Sequence, residues 1–381
     1  VPADHTMQCD YFDAGRCRSC TLMGTAYSGQ LADKQARCVA ALGPGPRWAE
    51  PFASRPAGFR NKAKLVVGGH RGAPTVGILD RGGRGVDLRH CGLYEDGLAE
   101  VVEQVPALVG ELGLVPYDVP RRSGELKHVL ITHSPAGELM VRFVLRSPGQ
   151  LGRIRRGLPA LRDRWPTARV VSVNLQPAHA AVLEGPEEIV LTEDQELPMV
   201  VNDVRLRLRA RSFFQTNTAV AAGLYRQARE WIDEVDPPSL WDLYCGVGGF
   251  ALHALQRPDA SARDVLGVEV SPEAVESARA AAADLPGASR FVAGDVIAHL
   301  QTSPSPDLVV VNPPRRGIGT DLAAWLEESG VEHVLYSSCN VDSLAGDLAR
   351  MPSLVPVRAR LFDMFPQTPH LEVLTLLHRA G

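Results

Sequence analysis

Long hydrophobic runs are missing from this chain: nowhere do 18 apolar residues follow one another, which argues against a membrane-spanning helix. The first residues also lack the charged-then-apolar pattern of a secretory leader, so the expectation is a cytoplasmic protein with no membrane association. A surplus of one charge is missing too. The formal charge of −4 does not announce a nucleic-acid binder, and any such role has to rest on local basic patches. No internal repeat and no low-complexity tract occurs, which excludes repeat arrays. What is abundant is apolar content. With 45% hydrophobic residues over 381 positions the chain can bury a large core, and its length favours two or more domains.

Cysteine is sparse and odd in number: seven, at positions 9, 17, 20, 38, 91, 245 and 339. Without an export signal, structural disulfides are a poor explanation. Cys9, Cys17 and Cys20 crowd into a dozen residues with a C-x-x-C at their end, which is ligand spacing. A redox pair of the thioredoxin kind sits within a βαβ pattern, and this turn-rich stretch shows none. Cys91 completes four thiolates. Four thiolates suit structural zinc or an iron–sulfur cluster, and spacing alone does not choose between them. Cys38, in a helix-like run over 31–42, is expected in the core.

The pattern divides the chain into a cysteine-rich arm over 1–50, an α+β domain over 51–205 and an α/β domain over 206–381. The arm ends at Gly43-Pro44-Gly45-Pro46, which breaks any helix before it. The middle alternates turns with short strand-like runs at 64–67, 129–132, 139–145, 170–174, 180–183 and 188–191. The last part predicts helix 218–234, strand 240–244, helix 249–255 and strands 265–270, 290–292, 307–311 and 333–337, alternating with helices such as 272–283. That is the order of a parallel, doubly wound sheet.

Such sheets do their chemistry at the carboxyl ends of strands. Asp242-Leu243-Tyr244-Cys245-Gly246-Val247-Gly248-Gly249 is a glycine turn where a backbone can approach a ligand, and Glu269, ending the next strand, can accept bonds from ribose hydroxyls. A dinucleotide site is the nearest competitor, but its G-x-G-x-x-G is absent. The turn fits S-adenosylmethionine, which has no pyrophosphate to cradle. At the tip of strand 307–311, Asn312-Pro313-Pro314-Arg315-Arg316-Gly317 stiffens the backbone and holds Asn312 in place. Ser337-Ser338-Cys339-Asn340 puts a thiol just past a further strand, and Glu372 opens the apolar run that follows. A thiol and a carboxylate facing one crevice point to covalent catalysis with a separate proton acceptor.

Five segments in this order and spacing, Ser212-Phe213-Phe214-Gln215-Thr216-Asn217, Asp242 to Phe250, Asn312 to Gly317, Ser337 to Asn340 and His370-Leu371-Glu372-Val373, resemble the RNA uracil-5 methyltransferase family. The cysteines at 9, 17, 20 and 91 resemble its iron–sulfur branch, and the likeness extends to Gly58 to Lys64 and Arg122 to Lys127. The resemblance implies a Rossmann-like class I methyltransferase domain after an α+β domain carrying a cysteine-ligated 4Fe–4S cluster. It implies methylation of carbon 5 of a uridine in 23S ribosomal RNA, with Cys339 as nucleophile and Glu372 as proton acceptor. It implies S-adenosylmethionine held by Gln215, Tyr244, Glu269 and Asn312, cluster ligands Cys9, Cys17, Cys20 and Cys91, and a monomer. The extra N-terminal RNA-binding barrel of longer ribosomal relatives is not expected.

Basic residues for phosphates are expected in two alternating sets, Arg60, Lys62 and Lys64, and Arg205, Arg207, Arg209 and Arg211, although any half-exposed strand shows such alternation. Asp295 is a candidate adenine-side acceptor or helix cap. The rival readings are a transfer-RNA uracil-5 methyltransferase, a non-catalytic RNA-binding protein and a nicotinamide-dependent oxidoreductase.

Overall fold

A computed structural model describes residues 7–256, 263–300 and 304–380. The chain forms two compact units. One joins Gln8–Ser19 to Ala57–Met199, and the other joins Cys20–Pro56 to the described part of Val200–Gly381. The first fifty residues are therefore shared between the units, with Cys20–Pro56 packed into the C-terminal one.

The unit built on Ala57–Met199 holds a seven-stranded sheet. Its strand order is Gly85–Asp87, Ala73–Leu79, Lys62–His70, Leu126–His133, Leu139–Leu145, Ala168–Leu175 and Glu187–Val190. All pairings are antiparallel except that of Leu139–Leu145 with Ala168–Leu175, whose crossover is helix Leu151–Arg164. One face carries Ala63, Leu65 and Val67 into a core with helix Asp96–Glu111. The sequence reading missed both helices. Each carries an internal proline, Pro106 and Pro159, a residue that usually breaks the helical pattern.

The strand expected at 180–183 does not form. Glu187–Val190 already occupies the edge of Ala168–Leu175, so this apolar run has no ladder to join. The four alternating arginines are likewise not one strand face. Strand Val204–Leu208 ends before Arg209 and Arg211, and Arg207 and Arg209 are paired with Asp284 and Glu276.

The C-terminal unit holds an eight-stranded sheet. Its order is Arg47–Trp48, Leu354–Phe362, Glu372–Arg379, His333–Ser338, Leu308–Val311, Ser239–Leu243, Asp264–Glu269 and Ala288–Ala293. Glu372–Arg379 runs antiparallel to both its neighbours, and the five strands beyond it are mutually parallel. This is the Rossmann-like methyltransferase arrangement. Leu308–Val311 is a run of buried Leu and Val, as expected of a central parallel strand covered on both faces. Helix Thr218–Val235 starts where Asn217 accepts a bond from the Val220 N–H and stops at left-handed Asp236, just before Pro237 and Pro238. Helix Pro272–Ala282 is capped by Ser271 and has proline in its first turn. Among the described residues no helix is long and apolar enough to cross a membrane.

Cys20–Pro56 is tied in by a buried polar network. Lys34 in helix Tyr27–Leu42 donates to Asp363 at 2.6 Å, with side chains 2% and 0% exposed. Tyr27 donates to the same carboxylate at 2.8 Å and accepts from the Ser54 N–H. Gln30 exchanges two bonds with Gln367, and Cys38 sits fully buried in the adjoining core. Losing one partner of such a pair leaves an uncompensated buried charge. Lys34→Met is therefore expected to destabilise the chain by about 3–5 kcal/mol, with the double change Lys34→Met, Asp363→Leu costing less, as read by chemical denaturation.

Candidate active site

The order of the parallel strands reverses between Ser239–Leu243 and Leu308–Val311. From the first of these the chain winds outward to Asp264–Glu269 and Ala288–Ala293, then returns on the other side. A crevice at such a switch point is where open α/β sheets bind ligands. Its rim is made of the loops that the sequence singled out, after Leu243, Glu269, Val311 and Ser338.

The thiol and the carboxylate meet here. In the antiparallel pairing of His333–Ser338 with Glu372–Arg379, Ser338 lies opposite Val373, so Cys339 and Glu372 continue the ladder toward the crevice. Glu372 is 2% exposed. Burial pushes its carboxyl up to about 7, and the hydrogen bond from Ser337, at 2.5 Å, works in the other direction. Cys339 is half-buried. Burial and the charge on Glu372 raise its thiol, while Arg315 lowers it. Arg315 thus supplies the positive charge that a thiolate needs. Asn340 fixes the geometry by donating to the Arg315 carbonyl at 3.1 Å.

The proline-stiffened loop is pinned from below. Asp347 accepts from Tyr336 at 2.7 Å and from the Ile318 N–H at 2.9 Å. A Cβ at Gly317, whose φ is +88°, would lie 2.3 Å from Asp347 Oδ2, so only glycine lets the loop lie down on this carboxylate. Asn312 follows the end of Leu308–Val311 and is half-buried.

On the other side of the crevice, Tyr244 takes a left-handed conformation at φ +64° and starts the glycine turn. Gly246, at φ +54°, faces open space: a Cβ added there meets nothing within 4 Å. The Glu269 carboxylate accepts from the Gly246 N–H at 3.1 Å and the Ser271 N–H at 2.9 Å, which binds turn and strand tip into one frame. Beneath the turn, Asp242 is fully buried and accepts from the Ala251 N–H, its other oxygen having no partner among the described residues. Burial pushes this carboxyl up to about 7, against the Ala251 bond. Asp295 accepts from the Ala298 N–H, as a helix cap does. Gln215 lies buried in the loop before helix Thr218–Val235.

The structure thus brings together Cys339, Glu372 and Arg315, and separately Tyr244, Gly246 and Glu269. Sequence reasoning missed three contributors. Ser337 read as a flanking serine, yet it is the hydrogen-bond donor to Glu372. Tyr225, buried in helix Thr218–Val235, has its hydroxyl raised by burial and by the charges of Asp242 and Glu372. Val270, 74% exposed next to Glu269, is an apolar surface at the strand tip. The sequence carried no signal for it, since the run 265–270 read as strand to its end and the structure ends the strand at Glu269.

The four-cysteine expectation fares differently. Among the described residues no group of three or more His, Cys, Asp or Glu side chains is gathered to hold a metal ion. Cys9, Cys17 and Cys91 belong to one unit, and the first two act on the Cys91 thiol, which burial raises most.

Comparison with known proteins agrees with this geometry. Residues 301–380 match the family described as tRNA (Uracil-5-)-methyltransferase, and residues 232–327 match the Methyltransferase small domain. A protein of Halothiobacillus neapolitanus named 23S rRNA (uracil(747)-C(5))-methyltransferase RlmC is 47% identical over 98% of this chain and 100% of its own length. The protein of that name from Edwardsiella ictaluri is 46% identical over the same shares. Among solved structures, the Pyrococcus abyssi tRNA (uracil-54, C5)-methyltransferase in complex with S-adenosyl-L-homocysteine superposes with a TM-score of 0.78. It is 22% identical, over 94% of this chain and 85% of that one, and so shares the fold.

The charges around Cys339 set its reactivity. Glu372→Gln removes a raising influence and Arg315→Ala a lowering one. Alkylation of Cys339 by iodoacetamide near pH 8, followed by peptide mass mapping, is expected to quicken in the first variant and slow in the second.

Proposed function

Because the chain belongs to the RNA uracil-5 methyltransferase family, we propose that it methylates carbon 5 of a uridine in 23S ribosomal RNA, with S-adenosylmethionine as methyl donor. The observation that carries this reading is the buried Glu372 beside Cys339 on adjacent antiparallel strands. The identity to ribosomal relatives over nearly the whole chain favours 23S ribosomal RNA over transfer RNA as substrate.

The residues of the crevice divide the chemistry between them. Carbon 5 of uracil is a weak nucleophile. Addition of the Cys339 thiolate to carbon 6 pushes electron density onto carbon 5 and the adjacent carbonyl, splitting one hard step into two. Arg315 favours the thiolate form. Bound S-adenosylmethionine supplies an electrophilic methyl group on a sulfonium. Glu372 then takes the proton from carbon 5, and elimination breaks the carbon–sulfur bond and returns the thiolate. The open space in front of Gly246 and the Glu269 carboxylate fit the donor's ribose and amino-acid portions. We assign Tyr244, Glu269, Asn312 and Gln215 to holding it, with exposed Val270 as an apolar rest for its adenine.

RNA contact is assigned to Arg60, Lys62 and Lys64 and to the loop around Phe213, an aromatic side chain 71% exposed on which a base can stack. Lys62 sits half-buried beside Arg142 and Lys64. Burial first, then these two cations, lower its pKa to about 8, with Glu184 opposing them, so a phosphate or a base carbonyl there would favour its charged form. A cytoplasmic monomer with no membrane role completes the reading.

A 4Fe–4S cluster is part of it as well. Cys9 and Cys17 lie in the same unit as Cys91 and raise its thiol, which suits a site whose iron would neutralise the thiolates. Methyl transfer moves no electron, so the cluster organises structure. Cys17→Ala is expected to cut iron and acid-labile sulfide per chain by more than half, with loss of visible absorption near 400 nm.

The activity itself is tested by release of tritium from carbon 5 of uridine in 23S ribosomal RNA. Release that depends on S-adenosylmethionine is expected from the wild-type chain. A loss of at least about 10³-fold is expected in Cys339→Ala and Glu372→Gln, the scale of removing a nucleophile or general base. Since Glu372 must be ionised to accept the proton, the rate should fall as pH drops below about 7. Absence of release from competent RNA would count against uracil-5 chemistry.

A further inference from the structure

Away from the crevice, the unit built on Ala57–Met199 contains a cavity of about 460 Å³, within the roughly 300–1,000 Å³ range of small-ligand sites. Its walls include Val66, Tyr117, Lys127, His128, His179 and Val182. The run at 180–183 that makes no strand forms part of this wall.

The ladder is distorted to build it. Between Leu126–His133 and Leu139–Leu145 the register shifts at Leu126/His128, so that Lys127 is the extra residue of a β-bulge. Consecutive strand residues ordinarily point to opposite faces. Here Lys127 and His128 line the same cavity, the kind of re-aiming that bulges perform beside functional sites.

The polar groups are few and fixed. Lys127 Nζ donates to Gln176 Oε1 and to the Ala178 carbonyl and lies over the Tyr117 ring, 4.9 Å from its centre. As an ammonium it keeps a third N–H. Tyr117 in turn hydrogen-bonds His179 at 2.9 Å. His128 Nδ1 is buried with no partner among the described residues, and a buried polar atom of this sort calls for one. Burial, with Lys127 adding to it, lowers the His128 ring to about 4, so at neutral pH it is an uncharged imidazole with one nitrogen to offer.

A phosphate does not suit apolar walls with one cation already turned to two carbonyl-type oxygens. A flat heterocycle does, if its edge presents an acceptor to Lys127 and a complementary group to His128. The cavity opens on the sheet face of Val66, which is also that of Lys64 and Lys62, two and four residues back along one strand. We propose that this cavity holds a second, unstacked nucleobase of the RNA substrate, one with a keto oxygen (uracil or guanine), whose backbone continues along Lys64 and Lys62. This rests on the RNA reading above and deepens it: the enzyme would select its site by a base other than the one it methylates. RNA enzymes that act on loops read splayed bases in this manner.

Two measurements test it on the full chain. Transcripts of the 23S ribosomal RNA segment containing the methylated uridine are made with 4-thiouridine or with 6-thioguanosine, bound and irradiated. An adduct on the peptides carrying Tyr117 to His128 or His179 to Leu183 is expected with one of the two, which also identifies the base. Adducts confined to other peptides would overturn the proposal. Val182 is 52% exposed, so Val182→Trp fills the cavity from its rim. Val182→Trp and His128→Leu are each expected to raise KM for the RNA about tenfold, leaving kcat and KM for S-adenosylmethionine unchanged. Unmoved KM for RNA in both would sink the pocket while leaving the activity standing; a wild-type chain that releases no tritium sinks the activity reading instead.

Discussion

Ser338 pairs with Val373 in the antiparallel ladder that joins the two strands at the centre of the candidate site, and most of the chemistry depends on that register. Cys339 and Glu372 are the next residues along each strand, so the pairing brings a thiol and a carboxylate face to face from positions 33 residues apart in the chain. A slip by one residue would turn every side chain of Glu372–Arg379 to the other face of the sheet. Both faces of that strand are buried, so slippage would force side chains of the wrong shape into two close-packed layers. The packing on either side of the last strand therefore protects the catalytic pairing.

The loops entering this ladder are held by charges taken out of water. Asp363, at the end of Leu354–Phe362, receives Lys34 and Tyr27, and Gln367 in the following connection is locked to Gln30. The chain consequently reaches Glu372 along a fixed path. Asp347 does the same for the opposite lip, joining Tyr336 in the strand before Cys339 to the backbone after Gly317. Buried pairs of this sort add little net stability but are costly to break singly. Their value here is positional: they fix where Cys339, Arg315 and Glu372 stand.

Much of this was legible in the sequence, for identifiable reasons. The parallel strands of the C-terminal unit announced themselves as short apolar runs, and the loops at their ends carried rigid or glycine-rich motifs that suit a ligand site. The helices Asp96–Glu111 and Leu151–Arg164 were not legible, because an internal proline masks each one's periodicity. The run at 180–183 looked like a strand because apolar content alone does not say whether an edge is available to pair with. The arginines after Val204 alternated as a strand face would, but the strand ends at Leu208 and two of the four are engaged by Asp284 and Glu276. Ser337 could not be read at all: its role depends on a neighbour 35 residues away, and pairwise geometry of that kind has no local signal.

Two negative charges cannot share this site cheaply, and under the proposed chemistry that tension orders the steps. In the free enzyme the Glu372 charge raises Cys339, as burial does, while burial holds Glu372 near 7. Arg315 compensates for about one negative charge on the thiol side. The site therefore accommodates a thiolate or a carboxylate more readily than both. Once Cys339 has added to carbon 6, its sulfur is a neutral thioether and no longer opposes ionisation of its neighbour. The carboxylate thus becomes easier to form when there is a carbon 5 proton to remove. Elimination then regenerates the thiolate as Glu372 acquires that proton, returning the pair to a single negative charge. Ser337 favours the ionised carboxyl throughout, which keeps Glu372 from being trapped as an acid by its own burial.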